Sequence, residues 1–239
     1  MHTCYQPDLQ VGELILAEDE ASHVVRVLRM GEGQVIRLID GVGGVAEGSL
    51  ASVGKKKASV IVEKVDREVT RPQGLILIVA PTKATDRFEW LLEKATELNV
   101  EEVIPVWTER SERRVDKHER WKKIVVAATK QCQRIWMPKL HRACAIQELF
   151  QQHSSLRSRP GAVAHCMDDL RGVSPRESWV EWQSDRTHAW LAVGPEGDFT
   201  GTEVRFLVDY DAQAIHFGPL RLRTETAGVA AIAQFQSVI

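Results

Sequence analysis

Two segments in the last fifty residues hold the residue types from which a ligand site could be built. The first, Val193-Gly194-Pro195-Glu196-Gly197-Asp198-Phe199-Thr200, follows an apolar stretch and runs into a helix signal. Gly194 and Gly197 permit backbone conformations and a close ligand approach that a β-carbon would block, while Pro195 stiffens the turn between them. Such a turn presents bare amide groups to a small ligand. The same glycines would also serve a tight strand-to-helix turn for geometry alone, but Glu196, a carboxylate between them, has no evident packing role. The second segment, Phe217-Gly218-Pro219-Leu220-Arg221-Leu222-Arg223-Thr224-Glu225-Thr226-Ala227-Gly228, precedes a helix rich in small residues. Thr224 or Thr226 can cap that helix, and Glu225 in its first turn is favoured by the helix dipole. Capping leaves Arg223 unexplained, at a helix entrance where its guanidinium could address an anionic or electron-rich substrate.

Several other chemistries have no signature. The chain contains no G-x-x-x-x-G-K-[ST] phosphate loop, no G-x-G-x-x-G fingerprint and no Ser-centred nucleophile elbow. None of its eight histidines pairs at metal-ligand spacing, so each is expected to be an ordinary satisfied histidine, and no metal site is expected. Cys4, Cys132, Cys144 and Cys166 stand far apart without a C-x-x-C pair and read as ordinary buried thiols. No stretch approaches the ~20 apolar residues of a membrane helix, and the start lacks the regions of a signal peptide. The expectation is a soluble, cytoplasmic protein with no membrane partner.

The elements that must position the two segments follow from hydrophobic patterning. With 239 residues, 44% hydrophobic and 27% charged, the chain has room for two domains with real cores. Over the first seventy residues, Glu13 to Ala17, Gln34 to Asp40, Gly44 to Ala51 and Lys57 to Val65 read as short strands, with turn chemistry at Gly41, Gly43 and Gly44. Between them, Ala21, Val24, Val25 and Leu28 recur at helical spacing, with Arg26 and Arg29 on the other side. A small barrel with an appended helix over residues 1–70 fits this pattern. Arg67 to Gly74 reads as a linker. From residue 74 to 239, apolar runs at Leu75 to Ala80, Val103 to Trp107, Ala162 to Cys166, Ala189 to Val193 and Ala214 to Phe217 alternate with amphipathic helical windows. That is the α/β pattern of a mostly parallel sheet, whose ligands sit at the carboxyl ends of its strands. Asp86 with Glu89, Asp116 with Glu119, and Thr200 with Glu203 have capping-box spacing, and Asn99 marks a helix stop.

The formal charge of -2 conceals a local segregation. From Asp86 to Glu109 there are seven acids and two bases; from Arg110 to Arg142 there are eleven bases and three acids. The basic run, including Arg110, Arg113, Arg114, Lys122, Lys123 and Arg134, reads either as a solvated face balanced by its acidic neighbour or as a phosphate-binding stripe. Trp107, Trp121 and Trp136 interleave with it and could stack on unpaired bases, although Trp121 shares helical spacing with core positions.

Taken together, GPEGDFTGTE at 194 to 203 and FGPLRLRTETAG at 217 to 228 resemble the paired signatures of the SPOUT-superfamily methyltransferases of RsmE type. These methylate N3 of a uridine in small-subunit (16S) ribosomal RNA. HVVRVLRMGEGQVIRLIDG at 23 to 41, DRFEWLLEKATELNVEEVIPVWTERS and WKKIVVAATKQCQR extend the resemblance over essentially the whole chain. It implies an N-terminal PUA-like RNA-binding β-barrel and a C-terminal trefoil-knotted domain. It also implies a homodimer holding S-adenosylmethionine, with ribosomal RNA or the assembling small subunit as partner. By motif match, Val193, Gly194, Pro195, Glu196 and Gly197 form one wall of the cofactor site, and Phe217, Gly218, Leu220, Leu222 and Thr224 another. Arg26, Arg29 and the basic run would meet RNA. Two positions depart from the family pattern: Asp198-Phe199 replaces Gly-Gly or Gly-Leu, and Leu220-Arg221-Leu222-Arg223 replaces Arg-Ile-Leu-Arg. The second puts Arg221 where an apolar pocket residue is expected.

Methylating N3 requires a proton acceptor and a group to stabilise charge on the flanking carbonyls. Arg223 suits the second task, and Glu225, Glu196 or water the first. Two rival readings remain at this point: a ribose 2'-O-methyltransferase of the same superfamily, and a noncatalytic RNA-binding ribosome-assembly protein.

Overall fold

Alternation in the first seventy residues becomes a sheet of six strands around one small core in the computed structural model, which describes residues 1–54, 57–168 and 170–236. In chain order the elements here are β1 (Thr3–Tyr5), β2 (Gly12–Ile15), α1 (Glu18–Ser22), β3 (Val35–Ile39), β4 (Gly44–Val53), β5 (Ala58–Val62) and β6 (Asp66–Arg67). The strand order is β1-β3-β4-β5-β2, with β6 beside β4 and only the β1–β3 pair parallel. Ile36, Leu38, Leu50, Val60 and Val62 point inward at every second position and meet Ala21 and Val24. The β3–β4 turn is built by Asp40, whose Oδ1 accepts from Val42 and Gly44 amides at 2.8 Å while Arg67 donates to its Oδ2 at 2.7 Å. Gly41 and Gly43 supply the left-handed residues that the turn needs, at φ +75° and +96°.

The helix expected over Glu20 to Met30 is present but changes pitch. After α1 it widens into a π-helical turn, His23–Val27, in which Leu28 N–H donates to the His23 carbonyl at 3.0 Å. The wider turn rotates the following residues, so Leu28, expected on the apolar face, is exposed. Arg26 and Arg29 are exposed, as their spacing predicts.

The remaining strands are β7 (Leu75–Val79), β8 (Glu102–Trp107), β9 (Lys139–Leu140), β10 (Cys144–Ala145), β11 (Gly161–Ala164), β12 (Glu177–Ser178), β13 (Ala189–Val193) and β14 (Ala212–His216). The helices are α2 (Thr85–Glu97), α3 (His118–Gln131), α4 (Leu149–Gln152), α5 (Trp179–Gln183), α6 (Gly201–Val208) and α7 (Thr224–Gln236). All pairings in this sheet are parallel, in the order β10-β8-β7-β13-β11-β14-β12, with β9 beside β8. The inner strands β7 and β13 are buried at every residue, the continuous apolar pattern of a sheet covered on both faces. β11 lies between β13 and β14, so the chain returns to flank a strand it has already laid down. α7 then packs on α2 and β7: a β-carbon at Gly228 would stand 2.9 Å from Leu91 Cδ1. The small residues of this helix therefore serve a close approach within the chain.

The chain divides into two units, Met1–Arg71 with Val126–Met137, and Pro72–Val125 with Pro138–Ile239. The second half of α3 thus belongs with the first unit, which a cut at a linker over Arg67 to Gly74 does not convey. Residues 237–239, the end of the second expected domain, lie outside the described residues. Among the described residues no helix is long and apolar enough to cross a membrane. Of the cysteines, Cys4 and Cys144 are buried, whereas Cys132 is only half-buried and Cys166 is exposed.

Candidate functional site

The carboxyl ends of β13, β11 and β14 lie side by side, and the loops leaving them surround a cavity of about 300 Å³. That is the size and position at which α/β folds bind small molecules. The two glycine-bearing turns meet here. Thr224 Oγ1, the first residue of α7, donates to the Gly194 carbonyl at 2.8 Å, both groups being buried. Of the twelve residues that the sequence places at this site, Val193, Gly194, Pro195, Glu196, Phe217, Gly218, Leu220, Leu222, Arg223 and Thr224 line the cavity, whereas Gly197 and Glu225 do not.

The glycines divide between the two roles that the sequence left open. A β-carbon at Gly194 would stand 2.9 Å from the backbone nitrogen of Phe199, so this glycine serves the turn. Gly218 sits at φ +106° with nothing within 4 Å of where a β-carbon would be, so its backbone is open to the cavity. Gly197 does not line the cavity; its carbonyl accepts from Arg110 Nη1 at 2.8 Å. Glu196 has a structural tie, its Oε1 accepting from the Lys83 amide at 3.0 Å, and it lines the cavity as well.

Asp198-Phe199 is a compatible replacement for the family's glycines. Asp198 adopts the left-handed conformation (φ +65°), its Oδ1 accepting from Phe199 N and its Oδ2 from Cys166 N, each at 2.8 Å. Asp and Asn tolerate this region because their side chains bond locally. Phe199 is fully buried in the core and anchors the turn from beneath. Helix α6 then starts cleanly: Thr200 Oγ1 accepts from Glu203 N, and Glu203 Oε2 accepts from Thr200 N at 2.8 Å. Glu203 Oε1 also accepts from Glu109 N at 2.7 Å, fastening the loop after β8 to this helix start. At the second departure, Arg221 lines the cavity from an exposed position.

Arg223 is exposed at the cavity edge, and among the described residues its guanidinium has no protein partner. Glu225 is placed elsewhere. Its carboxylate is buried, lies outside the cavity lining and faces Arg87 at 3.8 Å. Sequence reasoning missed Ala164, His165, Cys166, Arg176, Ile215 and His216, which also line the cavity. His165 is buried, and burial lowers its pKa, favouring the neutral imidazole. Only the position of β11 between β13 and β14 brings the His165 loop here, and no local pattern encodes that order.

The basic run is partly committed within the protein. Arg110 holds the Gly197 carbonyl, Arg114 donates to the Thr108 carbonyl at 3.0 Å, and Arg120 is paired with Glu89 at 2.8 Å. Arg134 is half-buried, and burial lowers its guanidinium to about 10. Arg113, Lys122 and Lys123 are exposed, and Trp121 is core, packed on Phe88 at 4.8 Å. Trp136 donates to Glu68 at 3.0 Å.

A parallel-sheet domain with a strand-end cavity, together with a small strand-rich unit, defines a class of two-part α/β ligand-binding proteins. Comparison with known proteins specifies it further. A model of the RNA methyltransferase domain matches residues 70–236, and a model of the RNA methyltransferase PUA domain matches residues 16–63. Ribosomal RNA small subunit methyltransferase E of Bacillus subtilis is 31% identical over 222 residues, covering 90% of this chain and 86% of that protein. The crystal structure of its namesake from Neisseria gonorrhoeae, bound to S-adenosyl methionine, superposes with a TM-score of 0.79 at 28% identity, covering 100% and 98% of the two chains. A probable rRNA-methyltransferase from Porphyromonas gingivalis superposes at 0.87 with 31% identity, again over 100% and 98%. The chain belongs to the RsmE-type RNA methyltransferases, a family of enzymes.

Proposed function

We propose that this chain transfers a methyl group from S-adenosylmethionine to N3 of one uridine in 16S ribosomal RNA, working as a homodimer in the cytoplasm. The observation that carries this reading is the Thr224–Gly194 hydrogen bond, which joins the two turns over a cavity with an unpartnered guanidinium at its rim. The residues fit the cofactor. Gly218 offers open backbone, and Leu220, 79% exposed, offers an uncovered apolar surface for an adenosine. When bound, S-adenosylmethionine supplies a methyl group on a positively charged sulfur. Arg223 directs its planar fork to O2 or O4 of the uridine and stabilises the charge left as the N3 proton departs. Of the two candidate carboxylates, only Glu196 lines the cavity, and the proton passes to it. Holding N3 in line with the methyl contributes through orientation alone. A ribosome-assembly protein without chemistry would not need this cavity, and the planar fork of Arg223 at its rim suits an N3 flanked by two carbonyls better than a ribose hydroxyl. Nucleoside analysis of ribosomal RNA from cells lacking the protein tests the reading: one 3-methyluridine disappears, whereas an unchanged profile refutes it.

Two further outcomes follow. Arg110, which sequence reading assigns to RNA, instead positions the cofactor turn by holding the Gly197 carbonyl. Arg110→Ala raises KM for S-adenosylmethionine about tenfold, the cost of one charge-assisted hydrogen bond. It changes kcat less and leaves the salt dependence of RNA binding intact; steady-state kinetics with both substrates measures the split. Lys122 and Lys123 are exposed on α3 without protein partners among the described residues. Reversing both to Glu weakens RNA binding and flattens log Kd against log salt, by a slope of about 0.7 for each lost single-strand phosphate contact. An unaltered slope would make this face surface only.

A further inference from the structure

His2, just before β1, and Cys4, within it, flank Thr3 and so project to one side of the extended chain. Glu20 of α1 meets them there. One donor atom from each, a ring nitrogen, the Sγ and a carboxylate oxygen, lie within 4.8 Å of one another. Cys4 is fully buried and the Glu20 side chain is 5% exposed, while His2 is half-buried. Lys130 donates to Glu20 Oε1 at 2.5 Å, which accounts for one carboxylate oxygen. The Cys4 thiol interacts with the Glu20 carboxylate, but Oε2 is buried without a hydrogen bond of ordinary geometry, and so is His2 Nε2. Buried acceptors are seldom left unpaired, and here two of them stand beside a thiol. None of these residues lines the cofactor cavity.

We propose that His2, Cys4 and Glu20 form a site for one divalent transition-metal ion of zinc type, with water as the fourth ligand. Imidazole nitrogen, thiolate sulfur and carboxylate oxygen form the mixed set that zinc accepts and that calcium and magnesium do not favour. Bond lengths of about 2.0–2.3 Å require the three donors to draw inward by about an ångström, a rotamer-scale adjustment. Binding sends the Cys4 proton to water and leaves a metal-bound thiolate. His2 contributes the lone pair of a neutral ring, whose orientation is held by His23 stacked on it at 5.0 Å. Glu20 contributes Oε2 and keeps Oε1 on Lys130. The ion thereby joins β1 to α1. Histidine spacing gave no warning, because the ligands are three residue types on two elements.

Titration of the chelator-treated full chain with Co2+, followed by Zn2+, tests the proposal. The expected result is one equivalent of Co2+ with a thiolate-to-cobalt absorption band, displaced by Zn2+. His2→Gln and Cys4→Ser each weaken binding by about tenfold or more. Cys166→Ser, which removes the exposed thiol, leaves the band unchanged, and at equal concentration Zn2+ raises the unfolding temperature of the wild type more than that of His2→Gln. Should Cys4→Ser fail to fold by circular dichroism, the half-buried His2 position carries the test alone. The absence of a saturable band, or a His2→Gln protein that binds Co2+ with the wild-type affinity, overturns the proposal.

Discussion

Arg223→Ala binds S-adenosylmethionine with the wild-type Kd but loses methyl transfer by about 10²–10³-fold, the usual cost of deleting one preorganised donor at a developing charge. The expectation follows from placement. The guanidinium stands at the rim of the cavity, exposed and unpartnered among the described residues, so removing it breaks no structural contact and leaves the walls unchanged. Arg223→Lys recovers only part of the loss, because a point charge cannot address a carbonyl with a planar fork. Calorimetric titration with the cofactor and a tritium-transfer assay give the two numbers separately. Unchanged transfer would remove Arg223 from the mechanism, and lost cofactor binding would make it part of the wall.

The second large effect concerns the bond that holds the two turns together. Thr224→Val preserves shape but removes the hydroxyl that donates to the Gly194 carbonyl at 2.8 Å. Both groups are buried, so the carbonyl loses its partner without gaining water, at a cost of roughly 1–3 kcal/mol. If that cost falls on the closed arrangement of the turns, the Kd for S-adenosylmethionine rises by roughly 5- to 150-fold. The neighbouring hydroxyl of Thr226 is exposed, so Thr226→Val changes the Kd little. A Thr224→Val protein that melts normally and binds the cofactor as tightly as the wild type would mean that the bond is incidental to the site.

What the sequence made legible, and what it hid, follows from the range of the interactions involved. The apolar runs and the two glycine turns are local patterns, and each became a strand or a strand-end loop within a residue or two of its expected bounds. Asn99, at φ +64°, ends α2 as predicted. Of the three capping-box spacings, Thr200–Glu203 forms the box. In α2 the helix begins at Thr85 with no side-chain cap, and Glu89 turns to Arg120. Before α3, Asp116 does accept from His118 N at 3.0 Å, but Glu119 is drawn to Arg142. Charged side chains choose partners across the fold, so i, i+3 spacing alone does not decide them.

The order of parallel strands is the least local property, and it hid the His165 loop from sequence reading. Burial hid the rest. Glu225 reads as a carboxylate at a helix entrance, yet it is buried and its Oε1 faces Arg87. The basic run reads as one stripe, yet several of its members are held by carbonyls and acids from other segments.

The most direct test of the account is transfer of a labelled methyl from S-adenosylmethionine to small ribosomal subunits purified from cells lacking the protein, with mass spectrometry of the digested nucleosides. The account predicts one label per subunit, recovered as 3-methyluridine and absent with Arg223→Ala. Label recovered on a ribose oxygen, or no label despite tight cofactor binding, would contradict it.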